Sequence, residues 1–310
     1  MMLLRRLFLP CVAGVLSACT AVGPDYVQPE SPLGPDWYKA EFERYDTDVE
    51  QQVHWWKTLG DPVLDNLIDL AHQQNNNLQI AGLRVLESRA QLGIATGSKY
   101  PQAQVVVGDA TAVQGSENAA NTAAGDLSYT QYNIGVGASW EIDFWGKFRR
   151  GIESADAAYL ASVAGYDQVM ILVTAQVCSA YLSVRTLEEQ IRITNDNIAI
   201  QQRSFDIVNV QFENGATSEL DVLQARTLLM ATRATLPALQ TQLYQARNAL
   251  ATLLGMPPSD MSDLLKGSSA IPAVPETVAV GLPADLLRRR PDVRQAEYLA
   301  MAQNAQVGVA

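Results

Sequence analysis

The chain has 310 residues, 48% hydrophobic and 18% charged, and its 33 Asp and Glu against 22 Lys and Arg give a formal charge of −11. That balance argues against a nucleic-acid binder, which needs clustered Lys and Arg to neutralise phosphate. The one basic run, Arg288-Arg289-Arg290, is followed by Pro291-Asp292 and reads as a solvated loop and helix start; length alone allows one to three domains.

The N-terminus carries an address. Arg5 and Arg6 precede a short apolar stretch, Leu7 to Leu16, which reads as a signal peptide over 1–18 and is too short to span a membrane. It ends Leu16-Ser17-Ala18-Cys19, which resembles a bacterial lipobox. By that resemblance Cys19 becomes the first mature residue and carries lipid, and Thr20, in place of Asp, suits the outer membrane. Several acyl chains would hold the protein stably, at ~0.8 kcal/mol per buried CH₂. The bland alternative is an ordinary signal peptide with an incidental Cys. Of the three Cys, Cys11 leaves with the leader and Cys19 is lipidated, so Cys178 has no partner, reads as a small apolar filler, and no disulfide framework exists.

Residues 19–53 are rich in Pro and acid and read as an extended, lipid-anchored tether, with Trp37 and Tyr38 able to pin it. Order begins at His54-Trp55-Trp56. Pro62 suits the first turn of a helix capped by Asp61, with Leu64, Leu67, Ile68 and Ala71 on its apolar face. After Gln73 to Asn77 a second helix is expected, carrying Leu78, Ala81, Val85, Leu86, Leu92 and Ile94 and stopping at Gly97 to Pro101.

Two strand-like segments follow. Gln104 to Gln114 is the weaker, and Gly115 to Asp126 reads as a loop. From Tyr132 to Phe144, apolar residues alternate without a slip with Asn133, Gly135, Gly137, Ser139, Glu141 and Asp143. Aromatics gather at its ends: Tyr129 and Tyr132 on one side, Trp140, Phe144 and Trp145 on the other. About ten residues with one apolar face and aromatic ends describe a transmembrane β-strand, so 100–145 reads as a membrane hairpin with those five residues as its aromatic girdle. The competing reading is a half-buried hairpin of a soluble domain.

The longest signal lies between Ile152 and Leu254. Every 3.5 residues from Tyr159 to Phe212, fourteen of sixteen positions are apolar; from Val222 to Leu253, nine of ten are. Sustained 4-3 spacing predicts long helices packed side by side, so 146–255 reads as an antiparallel helical hairpin. Its turn lies at Glu213 to Ser218, where Gly215 ends one helix and Thr217 or Ser218 caps the next. Pro237 is expected to bend the second helix. Ile193, Ile200 and Ile207 form a second seam, which suits a helix with more than one neighbour. A linker over 256–284 leads to a last segment, 285–310, in which Ala305-Gln306-Val307-Gly308-Val309-Ala310 aligns with Ala90-Gln91-Leu92-Gly93-Ile94-Ala95 at an offset of 215. That repeat predicts that helix, strands and long hairpin recur, with the second copy truncated.

Nothing in the sequence points to catalysis. His54 and His72 are the only histidines and form neither HExxH nor a triad-like spacing, and no P-loop or GxGxxG occurs. Glu141 and Asp143 share one face of the expected strand and read as facing a watery lumen rather than as an acid–base pair. No catalytic residue, cofactor or metal site is expected.

The residues instead carry a family. Cys19-Thr20 through Gly23-Pro24-Asp25-Tyr26, Trp55-Trp56 with Asp61-Pro62 and Leu67-Ile68, and Ser139 to Gly146 resemble the TolC-like outer membrane factors, in the lipoprotein branch typified by OprM and NodT. So do Asn214-Gly215 with Ser218 to Ala225, Asn248 to Gly255, and Leu287 to Val293. The resemblance implies a fold combining an all-α tunnel with a transmembrane β-barrel. It implies a homotrimer with four strands per protomer, held in the outer membrane by its strands and lipid, with a helical tunnel in the periplasm. It implies passive export in a tripartite efflux system, fed by an RND-type inner-membrane pump through a periplasmic adaptor. The turn Gly215, Ala216, Thr217 and Ser218 matches the tip that meets the adaptor. Two alternatives stay open: the outer duct of a type I protein secretion system, and a structural coiled-coil lipoprotein that conducts nothing.

Overall fold

A computed structural model describes residues 21–29, 45–46, 54–118, 120, 127–259, 261–268, 270–273, 278–279 and 287–310. The expected leader, Cys19, Trp37 and Tyr38 lie outside them. The chain divides into two compact units: Met1–Pro29 with Val85–Ser162 and Gln295–Ala310, and Glu30–Arg84 with Val163–Arg294.

The second of these is helical. Helix α1 (Pro62–Gln74) starts as the Asp61-Pro62 pair predicts, because the Asp61 carboxylate accepts from the backbone N–H groups of Val63 and Leu64. Asn75 then serves both neighbours: its Oδ1 accepts from Leu78 N–H at the start of α2 (Asn76–Gly97), and its Nδ2 donates to the Leu253 carbonyl at 2.8 Å. Residues 45–46 (β1) and 278–279 (β4) form a short parallel bridge.

The long hairpin is present as α3 (Lys147–Glu213) and α4 (Glu219–Leu253). At 1.5 Å per residue the 67-residue α3 is about 100 Å long. The two helices are antiparallel and keep one register. Arg247 pairs with Glu188 at 2.9 Å, and Arg233 donates to Gln202 at 2.8 Å. Fourteen residues toward the turn on α3 thus match fourteen back along α4. The 4-3 stripe is the line of burial: along α4, every stripe position from Val222 to Leu253 is at least half-buried, while almost all residues between are exposed. Helix α4 continues through Pro237.

One core ties these elements. Val173, Val177, Cys178, Tyr181 and Val184 of α3 pack with Leu250, Ala251 and Leu254 and with Leu64, Leu67, Ile68 and Ala71 of α1. Each fully buried Leu, Ile or Val contributes roughly 1.5–3 kcal/mol. The expected apolar face of α2 is covered unevenly. Leu78 and Ala81 are buried and Val85 and Leu92 half-buried, while Leu86 and Ile94 are 60% and 74% exposed.

The other unit holds strands β2 (Ala103–Gln114) and β3 (Ser128–Ser139), paired antiparallel over all twelve residues. It also holds residues 21–29, the start of α3, and α5 (Pro291–Val307) from Gln295 onward. Helices α2 and α5 begin 215 residues apart, the offset read from the sequence. In α5, Gln306 donates to Ser154 of α3 at 2.7 Å beside buried Ala157, Ala161 and Ala305, small side chains that allow close approach.

The second strand differs from expectation at both ends. It spans 128–139 rather than 132–144, although the alternation continues to Phe144. The reason lies in its partner: Pro101 has no N–H to donate. The Gln102 side chain closes the ladder instead, with Oε1 accepting from Glu141 N–H at 2.8 Å. Asp143 is also reassigned. Its carboxylate accepts from Phe148 and Arg149 N–H, so it caps α3 and does not sit on a lumen-facing strand.

Candidate functional site: a strand hairpin and a helical tip

Register fixes the two faces of the hairpin, because residues directly opposite in an antiparallel pair point the same way. Val106 faces Val136, Gly108 faces Ile134, Ala110 faces Tyr132, and Gln104 faces Ala138. This face carries no charge. Opposite it, Val105 faces Gly137, Val107 faces Gly135, Asp109 faces Asn133, and Thr111 faces Gln131. The glycines make room: a Cβ on Gly137 would stand 3.1 Å from Val105 Cγ2. Further along, Asp109 Oδ2 accepts from Thr111 Oγ1 at 3.2 Å and from Asn133 Nδ2 at 3.3 Å, and Gln131 donates to Asn133 Oδ1.

Ile134 and Val136 are 89% and 84% exposed. Nothing else pairs with the outer edges of β2 or β3 among the described residues. A two-stranded ribbon with open edges is marginal on its own in water.

The five residues expected to form an aromatic girdle are all exposed, but not as one band. Tyr132 lies on the uncharged face; Tyr129 lies on the other, opposite Val113. Trp140, Phe144 and Trp145 follow the strand, where Trp140 Nε1 donates to Lys99 O at 3.1 Å.

Beside them lies an arrangement the sequence did not reveal. Val22 N–H donates to Trp145 O at 2.9 Å. The buried Arg150 side chain donates to Val22 O at 3.1 Å, Gly23 O at 3.0 Å and Asp25 at 2.7 Å, and to Glu153 on its own helix. Gly146 and Gly308 line the slot; a Cβ on Gly146 would meet Ala21 Cβ at 2.5 Å, and one on Gly308 would meet the Val22 carbonyl. Val22, Gly23 and Asp25 are held here. Nothing in the spacing of Gly23, Arg150 and Gly308 along the sequence joins them.

The helical turn falls where the sequence places it. Gly215 has φ +74°, Ala216 N–H reaches Gln211 O, and Gly215 N–H reaches Phe212 O, the paired bonds of a Schellman cap. Ser218 starts α4 with a capping box, exchanging bonds with Asp221, whose carboxyl these donors hold below its usual range. Thr217 Oγ1 also donates to Asp221 at 2.6 Å. Gly215 to Ser218 therefore form one rigid, solvent-facing turn, with nothing within 4 Å of where a Gly215 Cβ would stand.

No three of His, Cys, Asp and Glu converge as a metal site among the described residues. Cys178 is buried, and desolvation pushes its thiol up to about 11.

Known proteins share this architecture. Residues 67–256, more than half of the chain, match the family described as outer membrane efflux protein. The chain is 31% identical over 306 residues to nodulation protein T of Rhizobium leguminosarum bv. trifolii, covering 97% of this chain and 63% of that protein. It is 30% identical to the cation efflux system protein CusC of Escherichia coli, covering 97% and 63%. Among solved structures, the outer-membrane channel OprN aligns with a TM-score of 0.81 at 31% identity, over 93% of this chain and 63% of that one. The chain thus spans a little under two thirds of the length of these relatives. The family match, the sequence identity and the fold agree: this chain belongs to the outer membrane efflux protein family.

Proposed function

We propose that this chain forms part of a trimeric outer-membrane exit duct, the last component of a tripartite efflux system fed by an inner-membrane pump of the RND type through a periplasmic adaptor. The observation that carries this reading is the β2–β3 hairpin. Its twelve-residue ladder has one uncharged face led by Val106, Ile134 and Val136, an opposite face on which Asp109, Thr111, Gln131 and Asn133 cluster, and two edges unpaired among the described residues, which suits a segment of a closed barrel. Strands from a second repeat and from neighbouring copies close it. The exposed faces of α2 and α3, including Ile193, Ile200 and Ile207, then pack against other staves of a helical tunnel. The Gly215 to Ser218 turn meets the adaptor.

Cys19 carries the lipid in this reading. Val22 is tied to Trp145, and three residues of chain reach at most about 11 Å. An acyl chain on Cys19 therefore enters the bilayer beside the aromatic residues that end the barrel. Palmitate labelling that is lost in Cys19→Ala supports the anchor, and labelling that persists unchanged removes it. The duct itself is tested by conductance of the protein, purified from outer membranes, in planar bilayers. Discrete channels are expected; a complete absence of conductance favours a structural lipoprotein.

A further inference from the structure

The 24 residues of the β2–β3 ladder contain a single Asp, Glu, Lys, Arg or His: Asp109. Its position is not arbitrary. It is the seventh residue of the twelve in β2 and pairs with Asn133, so it stands about halfway along the ladder. Register puts it on the face away from Val106, Ile134 and Val136. In a barrel wall, that apolar face meets lipid and the other meets the aqueous lumen. An ionisable side chain at membrane depth is retained where it faces water or a partner, and it marks a conduction path. No cation in the ladder neutralises it. Its neighbours instead orient it: Thr111 and Asn133 both donate to Oδ2, and Gln131 steadies Asn133 through the next bond.

We infer that Asp109 is a selectivity-determining residue of the duct: one carboxylate per protomer forms a ring at mid-membrane that favours cationic over anionic species in the exit. This inference rests on the barrel reading above. Three like carboxylates at one height raise the local concentration of cations and lower that of anions, an effect screened over the Debye length, ~10 Å in 0.1 M salt and ~3 Å in 1 M. The preference is therefore steep at low salt and fades at high salt.

The test is the reversal potential of single channels in a KCl gradient, with the protein purified from outer membranes. The wild type is expected to prefer K⁺ over Cl⁻. Asp109→Asn should reduce that ratio by roughly threefold near 0.1 M KCl, with the difference collapsing near 1 M. Asp109→Lys should push the ratio toward Cl⁻, and Asp109→Glu should keep it. Asn133→Asp, which adds a second carboxylate at the same level without removing the first, should raise it. A conducting Asp109→Asn channel with an unchanged ratio, or an effect indifferent to salt, overturns the inference and leaves the duct standing. A wild type that conducts nothing overturns the duct, and this inference with it.

Discussion

Tyr181 donates its hydroxyl to Asp61 at 2.5 Å, across 120 residues of sequence and with both side chains buried. Asp61 also caps α1, so one carboxylate fixes the start of α1 and ties it to α3. Arg185 adds to the same knot: its guanidinium lies 5.0 Å from the Tyr181 ring centre and donates to Leu265 O at 2.7 Å. Tyr181→Phe keeps the packing but leaves a buried carboxylate short of one donor, which costs about 1–3 kcal/mol. Asp61→Ala should cost more, because it also removes the cap, worth about 0.5–2 kcal/mol. Thermal or urea unfolding of the purified protein gives both values. A Tyr181→Phe variant as stable as the parent would show that the bond contributes nothing.

The Arg150 slot makes a prediction of a different kind, read locally rather than as global stability. Arg150→Met removes every donor from the Val22, Gly23 and Asp25 acceptors. Arg150→Lys should fare little better, since a point-charge amine cannot reproduce the planar fork. Gly308→Ala should act alike from the other side, because its methyl would land on the Val22 carbonyl and the Arg150 stem. In each variant the Val22 amide, bonded to Trp145 O, should lose hydrogen-exchange protection by about tenfold or more, while α3 beyond its first turns keeps its own. Unchanged protection at Val22 in all three would mean that the slot does not hold the tether.

How much of this was legible in the sequence follows from which forces are local. The stripes of α3 and α4, the Asp61-Pro62 start and the Gly215 turn are periodic or short-range, and the residues alone gave each of them, while they narrowed the cap of α4 only to Thr217 or Ser218. The end of β3 was not legible, because alternation persists to Phe144 while the ladder stops where Pro101 denies its partner a donor. Asp143 looked like a strand residue for the same reason. The Arg150 slot and the Tyr181–Asp61 bond join residues more than a hundred positions apart, and no spacing rule reaches that far. Asp109 was visible as a residue, but its face is defined only once β2 has a register against β3.

Two glycines with nearly equal backbone angles should respond very differently to the same methyl. Gly215 has φ +74° and Gly255 has φ +68°, and each ends one helix of the hairpin. A Cβ at Gly215 meets nothing within 4 Å, so Gly215→Ala carries only the left-handed backbone penalty, about 1 kcal/mol. At Gly255 the same atom runs into the Gln74 carbonyl, which Asn75 and the end of α1 hold in place. Gly255→Ala should therefore cost about 3 kcal/mol or more. Urea midpoints of the two variants decide the matter; equal losses would mean that the approach of Gln74 to Gly255 is not a constraint.

His72 predicts the direction of an acid response. Thr174 donates its hydroxyl to Met170 O, so at 2.8 Å it accepts from His72, which places the ring proton on Nε2. Desolvation is the largest influence on the ring and lowers its pKa from the ordinary 6.5; Asp69 opposes it and His54 reinforces it. The folded state thus binds a proton less readily than the unfolded chain. Above pH 6.5 both states are neutral at this site and nothing is lost. As pH falls below 6.5 the unfolded chain takes up the proton first, and stability declines until the folded ring is protonated too. One proton limits the slope to about 1.4 kcal/mol per pH unit. His72→Gln can still donate to Thr174 and cannot titrate, so its unfolding midpoint should lose this component between pH 7 and 5. Parallel profiles for the variant and the parent across that range would assign the acid response to other groups.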